Sequence, residues 1–257
     1  MKKILLLTTG GTIASRKTES GLAPQIAPEE LLVYVPEYEK FCHVDTRQVF
    51  NRDSTNIQPE DWICIAEAVQ CAFNQYDGFV ITHGTDTMAY TAAALSYLIQ
   101  NSGKPIVLTG SQKPIDSSST DARKNLLDSL RFAADPHAHG VYVVFDGKAI
   151  IGTRARKIRS KSFHAFESIN YPVAAFIDDS RIIHYLSDKG DERTVQFWNR
   201  LNPKIFLLKL VPGMEPDILD YIGDHYDAVI IESYGVGGIP FHDRRNFLDK
   251  LETFACK

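Results

Sequence analysis

Apolar residues in this chain gather into short, nearly unbroken runs separated by stretches with helical spacing. Ile4 to Leu7, Phe79 to Ile81, Ile106 to Leu108 and Val141 to Phe145 are such runs. Uninterrupted apolar strands are those buried on both faces of a sheet, whereas a half-exposed strand alternates. Strands are therefore predicted over 3–9, 44–50, 77–82, 105–109 and 140–146. Between them, helices are predicted over 28–35, 59–74, 87–100 and 120–134. Met88, Ala92, Leu95 and Ile99 repeat at helical spacing and form a core stripe. Pro59-Glu60-Asp61 opens its helix with proline and two acids, as the helix dipole favours. Alternating strands and helices predict an α/β fold: a mostly parallel sheet flanked by helices.

The pattern breaks after residue 186. Ser187 to Arg193 is polar and turn-rich, which marks 187–204 as a linker between a large N-terminal domain (1–186) and a smaller, apparently truncated α/β C-terminal domain (205–257). The latter is predicted to hold strands over 205–210 and 227–232 and helices over 215–223 and 242–254. So short a βαβα series leaves a sheet edge and an apolar face uncovered, and another polypeptide piece or an oligomer partner is expected to cover it.

Composition narrows the class. An apolar content of 44% and a charged content of 23% are those of an ordinary globular protein, and the net charge of −4 gives no basic footprint for nucleic acid. No apolar run is long enough to span a bilayer as a helix, so no membrane partner is expected. Met-Lys-Lys and four apolar residues are too short for a secretory leader, and the expected location is cytoplasmic. Cys42, Cys64, Cys71 and Cys256 have no metal-binding spacing; buried, reduced thiols are expected. No metal and no organic cofactor are expected.

Two strand ends carry chemistry. The first strand runs into Thr8-Thr9-Gly10-Gly11-Thr12-Ile13-Ala14, and the third into Thr82-His83-Gly84-Thr85-Asp86-Thr87. A glycine before a threonine lets the backbone turn tightly and presents a hydroxyl at a sheet end, where α/β enzymes build sites. Neither segment is a phosphate loop, since no Gly-Lys-Ser/Thr or Gly-x-Gly-x-x-Gly follows. A Ser–His–Asp arrangement of Ser111, His83 and Asp116 is set aside, because no nucleophile elbow is present; His83 is expected to be packed and hydrogen-bonded.

TTGGTIA and HGTDTMAYTAAAL together resemble the two signature segments of bacterial-type L-asparaginases. DSTNIQPEDW, KPIVLTGSQKPI, GVYVVFDGKAIIGTRARKIRSKSFHAFESINYP and VIIESYGVGGIP extend the resemblance, to the cytoplasmic type I branch, over essentially the whole chain. The resemblance implies hydrolysis of L-asparagine to L-aspartate and ammonia through an acyl-enzyme. It implies Thr12 as nucleophile, and Thr85, Lys157 and Asp86 as a Thr–Lys–Asp group, with Lys161 the competitor for the lysine. Asp86 would bind the substrate ammonium, with capping of the following helix as the other role for its carboxylate. Ser54 and Thr55 would hold the substrate carboxylate through hydroxyl and backbone N–H groups, Asp53 beside them would belong to the substrate-binding set, and Gly11, Gly84 and Ser111 would line the pocket. A homodimer or homotetramer is implied, with Ser233 to Gly238 resembling a loop that reaches a neighbouring protomer's site. Two departures stand out. The loop from Ser15 to Pro24, a candidate lid, has Leu22 where many members carry a tyrosine, and the family continues beyond the length seen here. The alternatives are a glutaminase-asparaginase, the amidase component of a tRNA-dependent amidotransferase, and, in another class, an inactive amino-acid-binding or regulatory protein.

Overall fold

The computed structural model describes residues 1–18, 21–186, 193–242 and 245–255. The chain forms two compact units, Met1–Arg200 and Leu201–Lys257.

In the first unit β1 (Lys2–Gly10) leads through a short turn into a hairpin, β2 (Ser15–Thr18) and β3 (Gly21–Pro24). Then come α1 (Pro28–Val33), β4 (Cys42–Arg52), α2 (Pro59–Ala72), β5 (Gly78–Thr82), α3 (Met88–Leu98), β6 (Ile99–Gln100), β7 (Pro105–Thr109), α4 (Ala122–Ala133) and β8 (Gly140–Phe145). The remaining strands are β9 (Lys148–Ile151), β10 (Ala155–Lys157), β11 (Phe166–Ser168), β12 (Ala175–Asp178), β13 (Arg181–His184) and β14 (Gln196–Phe197). The central sheet has eight strands in the order β13-β12-β9-β8-β7-β5-β1-β4. The stretch from β4 to β8 is parallel, and β9, β12 and β13 extend it antiparallel. This antiparallel extension lies past the strands expected from the sequence. The turns that create it, Asp146-Gly147 and Asp179, adopt positive φ and reverse the chain over very few residues.

The parallel strands are solid apolar runs because helices cover both faces of the sheet. Ile4, Leu5, Leu6 and Leu7 are all buried, as is every residue of β5 and β7. Met88, Ala92, Leu95 and Ile99 are likewise buried. Helix α2 opens as its sequence suggests: Asp61 accepts from the Gln58 N–H at 2.9 Å in a capping box. The cysteine expectation holds for Cys42 alone. Cys64 and Cys71 are exposed, since positions seven apart share the outer face of α2 just as readily as the inner one; Cys256 lies outside the described residues. Burial pushes the Cys42 thiol up to about 12, which keeps it protonated and inert.

Counting only the parallel strands in chain order, the sheet reads 2-1-3-4-5. The order reverses between β1 and β5. Outside the carboxyl ends of these two strands, at the switch point, an open α/β sheet has its natural crevice.

Of the stretch expected as a linker, Ser187 to Glu192 lie outside the described residues, and Gln196–Phe197 pair antiparallel with Ile99 and Gln100. The second unit holds β15 (Ile205–Lys209), α5 (Ile218–His225), β16 (Ala228–Glu232) and α6 (Phe247–Ala255). Its two strands are parallel, and Leu208, Leu210, Leu219, Ile222 and Phe247 form its core. The opposite sheet face is bare: Leu207 and Ile230, which are register partners, are 61% and 58% exposed.

Candidate active site

The two Gly-Thr turns meet. A Cβ placed on Gly11 would lie 2.4 Å from the Gly84 nitrogen and 2.6 Å from its Cα, so only glycine allows the turns to touch; Gly11 also adopts φ +82°. A Cβ on Gly84 would lie 2.5 Å from the Ser54 hydroxyl oxygen. Three loops, after β1, β4 and β5, are thereby drawn together at the switch point. Each contributes a hydroxyl: Thr12, Ser54 and Thr85.

Lys157, at the end of β10, completes the group. Its Nζ donates to Thr85 Oγ1 at 2.7 Å and to Asp86 Oδ1 at 2.7 Å. The lysine side chain is only 14% exposed, against 58% for Asp86. Lys161 is exposed, and the rest of the basic run disperses: Arg154 stacks over Tyr171, and Arg159 meets Glu167. Asp86 is not a helix cap. The N-cap of α3 is Thr87, whose hydroxyl donates to the Ser54 carbonyl at 2.7 Å.

Asp53 is turned inward on its own loop. It accepts from the Thr55 N–H at 2.8 Å and the Thr55 hydroxyl at 2.7 Å, and the hydroxyl above all holds its carboxyl below the usual range. Thr55 thus has its hydroxyl engaged, while Ser54 is buried against Gly84. Ser111 is buried too, and its hydroxyl donates to the Lys113 carbonyl at 2.5 Å. That loop hangs on Asp121, which accepts from the N–H groups of Gln112 and Lys113. Burial raises the Asp121 pKa in spite of these bonds.

Among the described residues, no acceptor takes the backbone N–H of Thr12 or of Thr85. Buried backbone donors are almost always paired, so these two N–H groups, on turns that touch through Gly11 and Gly84, are left available to an acceptor from outside the chain. No group of three or more His, Cys, Asp or Glu side chains suited to a metal ion occurs among the described residues.

His83 is packed as expected, and it belongs to a network that sequence reasoning missed. The imidazole is fully buried between the Gly84 carbonyl (Nδ1, 2.7 Å) and the Thr91 hydroxyl (Nε2, 2.9 Å); Trp62 Nε1 donates to the same hydroxyl at 3.0 Å. One signal could have found it: Thr91 is a polar residue among the buried positions Met88, Ala92 and Leu95. A separate cavity of about 850 Å³ opens beside α4, where Arg123 stacks over Tyr34 and Arg131 over Phe41.

A family model, "Asparaginase, N-terminal", matches residues 3–189. The chain belongs to the asparaginase family. An L-asparaginase of Thermococcus kodakarensis is 42% identical over 254 residues, which span 98% of this chain and 77% of that one. The solved thermostable L-asparaginase of that organism superposes with a TM-score of 0.93 at 41% identity, over 99% of this chain and 77% of the other. A component of the Glutamyl-tRNA(Gln) amidotransferase of Pyrococcus abyssi is 38% identical over 93% of this chain, which spans only 58% of that longer protein. A structure named as a probable cytoplasmic L-asparaginase, from Campylobacter jejuni, has a TM-score of 0.84 at 27% identity, covering 98% of this chain and 79% of that one. Among the described residues no helix is long and apolar enough to cross a membrane.

Proposed function

We propose that the chain is an L-asparaginase that hydrolyses the side-chain amide of L-asparagine with Thr12 as nucleophile. The observation that carries this is the meeting of the two Gly-Thr turns, with Lys157 bridging Thr85 and Asp86. Thr12 Oγ1 attacks the amide carbon and its proton leaves with the departing ammonia, giving an acyl-enzyme ester. The open N–H groups of Thr12 and Thr85 take the developing oxyanion. Water, deprotonated by the Thr85–Lys157–Asp86 group, then cleaves the ester and releases aspartate. Asp86 pairs with the substrate ammonium, Ser54 and Thr55 face the substrate carboxylate, and Asp53 belongs to the same binding loop. Gly11, Gly84 and Ser111 shape the wall.

No tyrosine stands in the loop between Ser15 and Pro24, so the proton of Thr12 is passed by a water, by Lys157 acting through Thr85, or by a group from another chain. Residues 19 and 20, at the tip of that proposed lid, lie outside the described residues. The working form is a cytoplasmic homo-oligomer, dimer or tetramer, supported by the bare Leu207–Ile230 face of the second unit. Residues 1–186 make up the proposed domain that carries the site, and 205–257 the smaller domain. The loop from Ser233 to Gly238, closed by hydrogen bonds between Tyr234 and Gly238, is the proposed contribution to a neighbour's site.

A second reading, the amidase component of a tRNA-dependent amidotransferase, draws on the 38% identity to such a protein in Pyrococcus abyssi and is weaker, since this chain spans only 58% of that protein. Ammonia release from L-asparagine and L-glutamine, measured side by side on the purified chain, tests the proposal. Turnover of free asparagine supports it. A chain that binds asparagine without releasing ammonia overturns it in favour of a binding protein.

A further inference from the structure

We infer that His83 is a positioning residue for the oxyanion site: as a neutral Nδ1–H tautomer it holds the Gly84–Thr85 peptide so that the Thr85 N–H points into the crevice. The inference rests on the amidohydrolase reading of the site.

The Gly84 carbonyl oxygen and the Thr85 N–H belong to a single planar peptide unit, so whatever fixes the carbonyl fixes the N–H. His83 Nδ1 lies 2.7 Å from that carbonyl oxygen. A carbonyl can only accept, which assigns the proton to Nδ1. Nε2 is then an acceptor and must receive from the Thr91 hydroxyl, 2.9 Å away. Thr91 in turn accepts from Trp62 Nε1, which can only donate. Every proton in the series Trp62, Thr91, His83, Gly84 is therefore assigned by its ends. Reversing the imidazole would put a lone pair against a carbonyl oxygen.

The support is needed because glycine makes this turn soft. Gly84 is glycine because Ser54 stands where its Cβ would go, and a residue without a side chain has no packing of its own to set its peptide. His83 and Thr91, both fully buried, supply the missing rigidity from below. A hydrogen bond donated to a carbonyl also polarises its peptide and strengthens the N–H on the other side as a donor. The surroundings keep the imidazole neutral: desolvation lowers its pKa from 6.5 to about 4, opposed by the Gly84 carbonyl and by the charge of Asp61. His83 touches no substrate in this scheme.

The two ring nitrogens can be replaced separately, and this gives the test. Asn at position 83 can set its amide nitrogen where Nδ1 stands; Gln reaches only the Nε2 position; Leu offers no polar group at either. His83→Asn is expected to keep kcat for asparagine within about threefold, while His83→Gln and His83→Leu lower it about 10- to 100-fold with KM changed less than about threefold, below the roughly 10²- to 10³-fold cost of removing an oxyanion donor outright because the Thr85 N–H stays in place and loses only its support. Equal kcat in wild type and a folded His83→Leu, or an Asn variant as impaired as the Leu variant, overturns the inference. Nitrogen-detected NMR of the wild-type imidazole needs neither turnover nor a folded variant. The Nδ1–H tautomer at pH 7 supports the assignment, and the Nε2–H tautomer or an imidazolium overturns it. Were the wild-type chain to release no ammonia, the amidohydrolase reading would fall, while the tautomer would still decide whether His83 donates to the Gly84 carbonyl.

Discussion

The turns holding Thr12 and Thr85 look alike in sequence and are unlike in surroundings. Each is a Gly-Thr turn that follows a parallel strand of the central sheet, and each leaves its threonine N–H without a backbone acceptor among the described residues. Thr85 is 5% exposed and receives a hydrogen bond from Lys157 at 2.7 Å. Thr12 is more open, heads a short helical turn, and has no charged partner among the described residues. In the proposed mechanism the difference divides the labour. A hydroxyl that must reach a substrate carbon needs space around it, and one that must relay protons needs a fixed neighbour. Packing gives the first turn space and the second a lysine.

The sharpest way to break this comparison is to remove one member of each turn. Thr12→Ala is expected to lower asparagine turnover by at least about 10³-fold, and Lys157→Met by a comparable factor, because residues acting as a unit fail together. Combining the two should cost little more than either alone. Rapid single-turnover mixing separates them: Lys157→Met should still acylate slowly, and Thr12→Ala should show no ester at all. If Thr12→Ala retained an ester intermediate, Thr85 would have to be the nucleophile and the roles assigned to the turns would be exchanged.

How much of this could be read in the sequence follows from which interactions are local. The parallel strands announced themselves through solid apolar runs, since burial on both faces needs nothing but the residues of the strand. Thr12, Thr85 and Asp86 stood out because a turn chemistry of adjacent residues exposes them. Lys157 was reachable only through resemblance: 71 residues separate it from Asp86, and no local rule picks it from a run of five basic side chains between Arg154 and Lys161. The antiparallel edge of β9, β12 and β13 was missed because its strands are only four residues long; the Asp146-Gly147 pair is itself a hairpin signal that could have revealed β9, whereas the turn at Asp179 carries little. The Trp62–Thr91–His83 network lay beyond local rules as the lysine did, and no resemblance pointed to it, since its members meet only after α2 and α3 pack. Cys64 and Cys71 show the converse limit, where helical spacing gave the shared face and not its direction.

The contact between the turns is the next thing to perturb. Gly11→Ala introduces a Cβ at 2.4 Å from the Gly84 nitrogen, against backbone that cannot swing aside as a side-chain tip can, and in a residue at φ +82°. Overpacking and the positive φ together predict a loss of about 3 kcal/mol. For a chain of this size that is a fall in melting temperature of roughly 10 °C. Activity should fall further than stability explains, because the two open N–H groups separate. Thermal unfolding and kcat measured on the same preparation check both, and a stable, active variant would show that the turns do not depend on each other's approach.

The smallest expected effect discriminates most finely. Asp86 sits between the two proposed tasks: it binds Lys157 at 2.7 Å, and its 58% exposure leaves the rest of the carboxylate for a substrate ammonium. Removing its charge with Asp86→Asn should raise KM for asparagine about tenfold, a modest factor because solvent screens a carboxylate this exposed. A substrate that lacks the α-amino group but keeps the amide and carboxylate provides the control. If Asp86 serves the ammonium, that truncated substrate should be a poor one for the wild type and no worse for the variant. If Asp86 serves Lys157 instead, kcat should fall for both substrates alike, since the lysine loses its counter-charge whatever is bound. The two outcomes read the same oxygen pair from opposite sides, and they decide whether the second turn is a relay alone or a relay that also recognises the amino acid.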